Sequence, residues 1–359
     1  MVDNNRNAIL FGPLPPVYGG VSVFIEGLAD VVIDQGGKVW TYTGGRERYP
    51  DNPLYVDHRR LGHILAALKQ ARNGRITDSA HFHLEYPHWL LLPIWLIAKR
   101  LLRFRWIKIV HDGSLPSRHK MFGRIEKLLF NAASRNIDEF IAASPELESW
   151  LVDVGVQRSR TSLIPTLLPR RPDLSAKNAQ LTDALRGFSR HNRRICSIGI
   201  FIPSYGFHHV AESVERIRNE SHDDIGLLLI DGTFARDHEF RAKVLKGREW
   251  ITVLENVANP DIPQVLNRCE VFIRGTEHEG LGISRVEALW SGLPVIATSV
   301  GEQRGMLLYD FGDTETLASH IRSVLKGETV RGAQESADTL RSEARRNLDS
   351  YVRVIIGDE

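Results

Sequence analysis

Short apolar runs of strand length alternate with longer amphipathic stretches along most of this chain. Runs of this kind, bounded by turn residues and separated by helical patterns, predict buried parallel strands in an α/β fold. The pattern predicts strands at Ala8–Phe11, Lys38–Thr43, Ser79–His83, Trp106–His111 and Glu139–Ala143. Between them it predicts a helix ending near Asp34 and others over Leu61–Ala71, Trp89–Leu102 and Arg124–Arg135. Ser144 followed by Pro145 reads as the N-cap of a helix reaching about Val154. From Pro165 to Gly187 the chain is rich in Pro, Arg, Asn and Ser and keeps no period, which reads as a linker. A second alternation follows, with strands Arg194–Gly199, Ile225–Asp231, Ile251–Leu254 and Val271–Arg274 and helices Gly206–Asn219, Glu239–Lys246 and Asp261–Arg268.

Composition narrows the class. A chain of 359 residues is too long for one ordinary core and fits two domains, expected at 1–168 and 188–333. Two such units would place the C-terminal edges of their parallel strands on a shared cleft, where open α/β sheets bind ligands. The formal charge of +2 gives no global reason to expect nucleic acid. Cys196 and Cys269 follow no metal or redox spacing and read as buried free thiols in a reducing cytoplasm. The polar N-terminus does not look like a signal peptide, and Trp89–Ala98, broken by Pro93, is too short to span a bilayer. A cytoplasmic protein is expected, either free or peripheral on the inner face of the membrane.

The most informative stretch runs from Arg274 to Thr298. It reads as a strand end, a glycine-spaced loop, a short helix, a turn and a second buried strand. Glu279 and Glu287 lie eight positions apart, and Gly280, Leu281, Gly282 and Ile283 supply free backbone N–H groups at a helix start, which suits an anion such as phosphate. Glu287, at the margin of an apolar stripe formed by Ile283, Val286 and Leu289, could accept two hydrogen bonds from a diol such as a ribose. The bland reading is an ordinary turn with solvated acids.

With both glycines in frame, and with its continuation Ser291 to Thr298, this stretch resembles the Glu-x7-Glu signature of retaining GT-B glycosyltransferases of family 4. The resemblance implies two Rossmann-like domains, a nucleotide-sugar donor linked to UDP or GDP, no metal or other cofactor, and a glycan or lipid-linked acceptor. It also implies a terminal helix, about 334–359, that packs back on the first domain. The loop from Gly12 to Gly19 and Gly20 is similar to the family's N-terminal glycine pair. His111, ending a buried strand, resembles the family's histidine facing the donor sugar, the alternative being a structural histidine. In the implied roles Glu279 and the 280–283 backbone hold phosphate and sugar, and Glu287 holds the ribose. A metal site at His81 and His83 is the weaker reading of the histidine cluster, because no Cys or acid completes a ligand set.

One departure matters. After Gly199 the family has an arginine and, five residues on, a lysine; here those positions hold Ile200 and Tyr205. Two charge-assisted phosphate contacts, each worth about 1.5–3 kcal/mol, are absent. The segment after Thr298 is also shorter than the family's. Arg274, and after it Arg304, are the candidate replacements. The other readings are an unusual donor, or a catalytically silent GT-B scaffold that partners an active transferase. An oxidoreductase is disfavoured, since no Gly-x-Gly-x-x-Gly follows the first strand. Residues 89–108 mix Trp with clustered cations, which fits either a surface drawn to anionic lipid or a core helix with a solvated basic end.

Overall fold

In the computed structural model, residues 8–15, 20–42, 54–56, 61–79, 92–169, 179–232 and 237–357 are described. The chain forms two compact units, each built on a parallel sheet.

The first unit contains β1 (Ala8–Gly12), α1 (Gly20–Asp34), β2 (Lys38–Thr41), β3 (Leu54–Tyr55), α2 (Leu61–Gln70), β4 (Arg75–Asp78), α3 (Leu92–Leu102), β5 (Arg105–Val110), α4 (Leu115–Lys120), α5 (Arg124–Asn136), β6 (Glu139–Ala142), α6 (Pro145–Asp153) and β7 (Thr161–Leu163). The strand order is β3-β2-β1-β4-β5-β6-β7, so the winding reverses between β1 and β4. Helices cover both faces. Phe24, Ile25 and Leu28 of α1 belong to one core layer, while Ile64, Leu68, Trp95, Phe130 and Leu147 of the other helices belong to the second. Ser144 caps α6 by accepting from the Leu147 amide at 3.3 Å, as expected.

The second unit contains α7 (Ala179–Ala184), β8 (Arg193–Gly199), α8 (Phe207–Ser221), β9 (Ile225–Asp231), α9 (His238–Leu245), β10 (Ile251–Glu255), α10 (Ile262–Leu266), β11 (Val271–Arg274), α11 (Ile283–Trp290), β12 (Val295–Thr298), β13 (Leu307–Tyr309), α12 (Thr314–Leu325) and the start of α13 (Ala333–Ile356). Its order, β10-β9-β8-β11-β12-β13, reverses between β8 and β11. Residues of α13 from Ala344 onward belong to the first unit, where Tyr351 is buried and donates its hydroxyl to the Ile164 carbonyl at 2.8 Å.

Several elements differ from the pattern-based expectation. The strand expected at Ser79–His83 is instead Arg75–Asp78; Ser79 follows it, and residues 80–83 lie outside the described residues. Its polar end is hidden in the core. Asp78 and Lys108 are both fully buried, pair at 3.7 Å, and Asp78 also accepts from Trp106 Nε1 at 3.3 Å. A strand that ends Thr-Asp carries no apolar signal, because β5 supplies its compensating charge. The short α7 falls inside the expected linker, and α4, β7, β13 and α12 were not anticipated.

Removing one partner of a buried ion pair strands the other charge, so Lys108→Met should lower unfolding stability by about 3–5 kcal/mol. Chemical denaturation measures this, and the double change with Asp78→Leu should recover much of the loss.

Candidate functional site

Both units place candidate residues at the strand ends beside their winding reversals, where open α/β sheets bind ligands. In the first unit the Ser79 amide donates to the Phe11 carbonyl at 2.7 Å, joining the ends of β1 and β4. His111 follows β5 directly, and its Nε2 lies 2.9 Å from Ser79 Oγ and 3.3 Å from the Ser79 carbonyl. A carbonyl only accepts, so these contacts favour the tautomer with the proton on Nε2. The next residue, Asp112, pairs with Arg118 at 2.5 Å and accepts from the Ser114 amide, which shapes the turn. Gly20 begins α1, and Gly19 lies outside the described residues.

In the second unit the ends of β8 and β11 meet through glycine. Gly206 has φ +67°, and a Cβ there would sit 2.0 Å from the Gly275 carbonyl oxygen, so no other residue fits without moving the backbone. Gly199 is likewise crowded, by the rings of Tyr205 and Phe207. Ile200 and Tyr205, at the two positions where the family resemblance calls for cations, bring no charge to this loop.

A cation arrives from the neighbouring strand. Arg274 ends β11 and is buried; its guanidinium lies 5.1 Å from the centre of the Tyr205 ring. Its Nη1 donates to the Ile198 carbonyl at 2.5 Å, and Nε and Nη2 both reach Glu279 Oε2 at 2.7 Å. Thr276 Oγ1 donates to the same oxygen at 3.2 Å. Burial alone would raise the Glu279 carboxyl, but the charge and hydrogen bonds of Arg274 outweigh it and hold it below the usual carboxylate range. Oε1 of Glu279 takes no hydrogen bond from the described residues. Arg304, the second candidate cation, is occupied by Glu302 and Glu343, each at 2.7 Å.

The loop after Glu279 opens α11 through Gly282, whose φ of +78° is left-handed. Leu281 and Ile283 are half-buried beside it. Glu287 is buried at 6 % exposure, deeper than the helix margin where the apolar stripe placed it. The residue that sequence reasoning missed is Arg285, fully buried on the first turn of α11. A polar position in an amphipathic helix reads as solvated, and nothing local signals that the turn after β12 will accept its hydrogen bonds.

Outside this region, Trp95 and Trp106 are core residues, and Trp89 lies outside the described residues. His81, His83 and His88 also lie outside them. Among the described residues no three His, Cys, Asp or Glu side chains converge as metal ligands, and no helix is long and apolar enough to cross a membrane. Cys196 and Cys269 are free and buried.

Two Rossmann-like units, the second with a glycine-bounded helix start beside a buried arginine, fit the GT-B fold class. A family model described as "Glycosyltransferase Family 4" matches residues 18–168, and one described as "Glycosyl transferases group 1" matches residues 192–327. The chain belongs to the GT-B group 1 glycosyltransferases. It is 23 % identical over 265 residues to a 2-deoxystreptamine glucosyltransferase of Streptomyces kanamyceticus, covering 69 % of this chain and 68 % of that one. It is 27 % identical over 175 residues to the lipopolysaccharide core biosynthesis glycosyltransferase LpsE of Rhizobium meliloti (strain 1021), covering 45 % of this chain and 49 % of that one. The fold matches Anabaena Alr3699/HepE in complex with UDP-glucose, with a TM-score of 0.72, 18 % identity, and coverage of 96 % and 98 %.

Because Glu279 ionises more readily in the folded protein, its contribution is full above its ordinary value of 4.5 and is lost as pH falls through the lower folded value. Glu279→Gln should therefore cost about 1.5–3 kcal/mol at neutral pH, the worth of a charged hydrogen bond. Stability measured against pH should show wild type and variant converging below 4.5.

Proposed function

We propose that this protein transfers a sugar from a UDP- or GDP-linked donor to a glycan or lipid-linked acceptor, with retention of anomeric configuration and without a metal, in the synthesis of a surface polysaccharide. The observation that carries the reading is the Arg274–Glu279 pair beside the 280–283 amides. In this reading the amides and Arg274 take the donor phosphates, replacing the cations absent at Ile200 and Tyr205. Gly199 lets the chain pass close by. Glu287 holds the ribose, the free Oε1 of Glu279 takes a sugar hydroxyl, and His111 contacts the sugar near the reacting carbon. Gly19 and Gly20 border the acceptor side. Catalysis then rests on positioning and on stabilising the departing phosphate.

Ile200 and Tyr205 also favour a second reading, a catalytically silent scaffold. Nucleotide binding separates the two. UDP or GDP at a hundredfold its dissociation constant should add about 2.7 kcal/mol of stability, read as a thermal shift. Arg274→Ala should raise that constant at least about tenfold, the worth of one charged contact. No shift with either nucleotide supports the scaffold, and an unchanged constant removes Arg274 from the site.

A membrane-facing surface belongs to the same proposal, on different side chains from the tryptophans. Six of the seven exposed large apolar residues among those described lie on or beside α2, α3 and α5: Leu65, Ile97, Leu101, Met121, Ile125 and Leu128. These helices pack side by side. Residues 92–136 carry ten Lys or Arg against two acids, in a chain whose total charge is only +2. Exposed apolar residues in a basic segment, Lys108 apart because it is buried with Asp78, suit an anionic lipid surface. The protein should pellet with phosphatidylglycerol vesicles and not with neutral ones, salt should weaken this, and the triple change Leu101→Ser, Ile125→Ser, Leu128→Ser should abolish it. Equal pelleting with both vesicle types, or none, refutes the surface.

A further inference from the structure

Arg285 is half-satisfied. Its Nη1 donates to the carbonyl of Thr298, the last residue of β12, at 3.4 Å, and to those of Val300 and, at 3.0 Å, Glu302 on the turn that follows. Nε and Nη2 have no partner among the described residues, although the side chain is fully buried. Unmade donors on a buried guanidinium are costly and point to an acceptor that is present in another state. Burial drives the Arg285 guanidinium down to about 10, opposed chiefly by the charge of Glu279.

The geometry names the acceptor. The point where a Cβ on Gly282 would stand is 2.6 Å from Arg285 Nε and 3.1 Å from Glu279 Cγ. The stem of Glu279 and the unpaired edge of Arg285 therefore crowd the same face of residue 282, and only a glycine there lets them stand so close. The carboxyl carbon lies one bond beyond Cγ, and the charges of Glu279 and Arg285 already act on each other. The surrounding backbone is held. The Glu302 amide donates to the Leu281 carbonyl at 3.1 Å, and Gly301 packs against the Glu279 stem.

We infer that Glu279 is a two-position carboxylate, seated on Arg274 when the donor site is empty and on Nε and Nη2 of Arg285 when a nucleotide diphosphate is bound. The inference rests on the reading of Arg274 as the phosphate-site cation. Seated on Arg274, Glu279 occupies the edge that a phosphate would take. Displaced without a second seat, it would be a buried carboxylate facing a phosphate of like charge. Arg285 supplies that seat, so that Glu279 stays paired when Arg274 turns to the phosphate. It is a positioning residue, acting on the ligand through Glu279.

The test is a double-mutant cycle on the full chain, with UDP, and GDP if UDP does not bind, titrated calorimetrically. Arg285→Lys retains a cation for the Val300 carbonyl but removes the second edge. It should raise the dissociation constant about tenfold, the scale of one charged contact. Glu279→Gln leaves Arg274 without a competing carboxylate, and in that background Arg285→Lys should change binding less than about twofold. Equal loss in both backgrounds, or none in the wild type, overturns the inference. Should Arg285→Lys melt early, Arg285→Gln in the same cycle and a crystal structure of the wild-type UDP complex decide. A carboxylate still on Arg274 overturns the switch, and one on Arg285 supports it. If Arg274→Ala leaves binding unchanged, the reading of Arg274 fails with it; if Arg274→Ala weakens binding while the cycle is additive, only the switch fails. Binding of neither nucleotide to the wild type overturns both.

Discussion

The Arg274–Glu279 pair ties together the ends of β8 and β11 and the loop that leads to α11. One guanidinium spans the end of β11, the Ile198 carbonyl of β8, the ring of Tyr205 and the loop leading to α11. It can do so because Gly206 and Gly275 let the two strand ends approach within backbone contact. A bulkier residue at 206 would push β8 from β11 and carry Tyr205 away from Arg274. The charged pair is affordable at low exposure because its three nitrogens all find acceptors and Thr276 supports the carboxylate.

Charge at this edge has moved relative to the family pattern. The loop after β8 is apolar and aromatic, while cations stand on β11 and on α11. Arg285 reaches inward from α11 to the Thr298 carbonyl at the end of β12 and to two carbonyls of the turn that follows. The first unit uses the same device once, in the Asp78–Lys108 pair, where a strand end carries a charge into the core because its neighbour answers it.

Buried charge is also where sequence reading lost the chain. β9, apolar for nearly all its length, was placed to the residue, and so was β11 with the motif that follows it. β4 was placed four residues late, since Thr77 and Asp78 have no apolar signal and their acceptability depends on a strand thirty residues away. Arg285 passed unnoticed for the same reason. Its local pattern reads as a solvated position, and its acceptors lie on a turn seen only in three dimensions. The composition of 89–108 left a surface and a core helix both open, and packing put Trp95 and Trp106 in the core.

The amino-acid sequence alone determined the alternation of strands and helices, the α/β class, the family, and the loss of two cations at Ile200 and Tyr205. The first two follow from periodicity and spacing, which are properties of neighbours along the chain; the family and the missing cations follow from the resemblance of two short stretches to a known family. Only the tertiary structure decided that Arg274 holds Glu279, that Arg304 is taken by Glu302 and Glu343, and that Arg285 is buried with half its donors unmade. The charge of a side chain is written in the sequence. Its partners, which determine whether that charge is neutralised or available to a ligand, are set by which strand ends and turns the fold brings together.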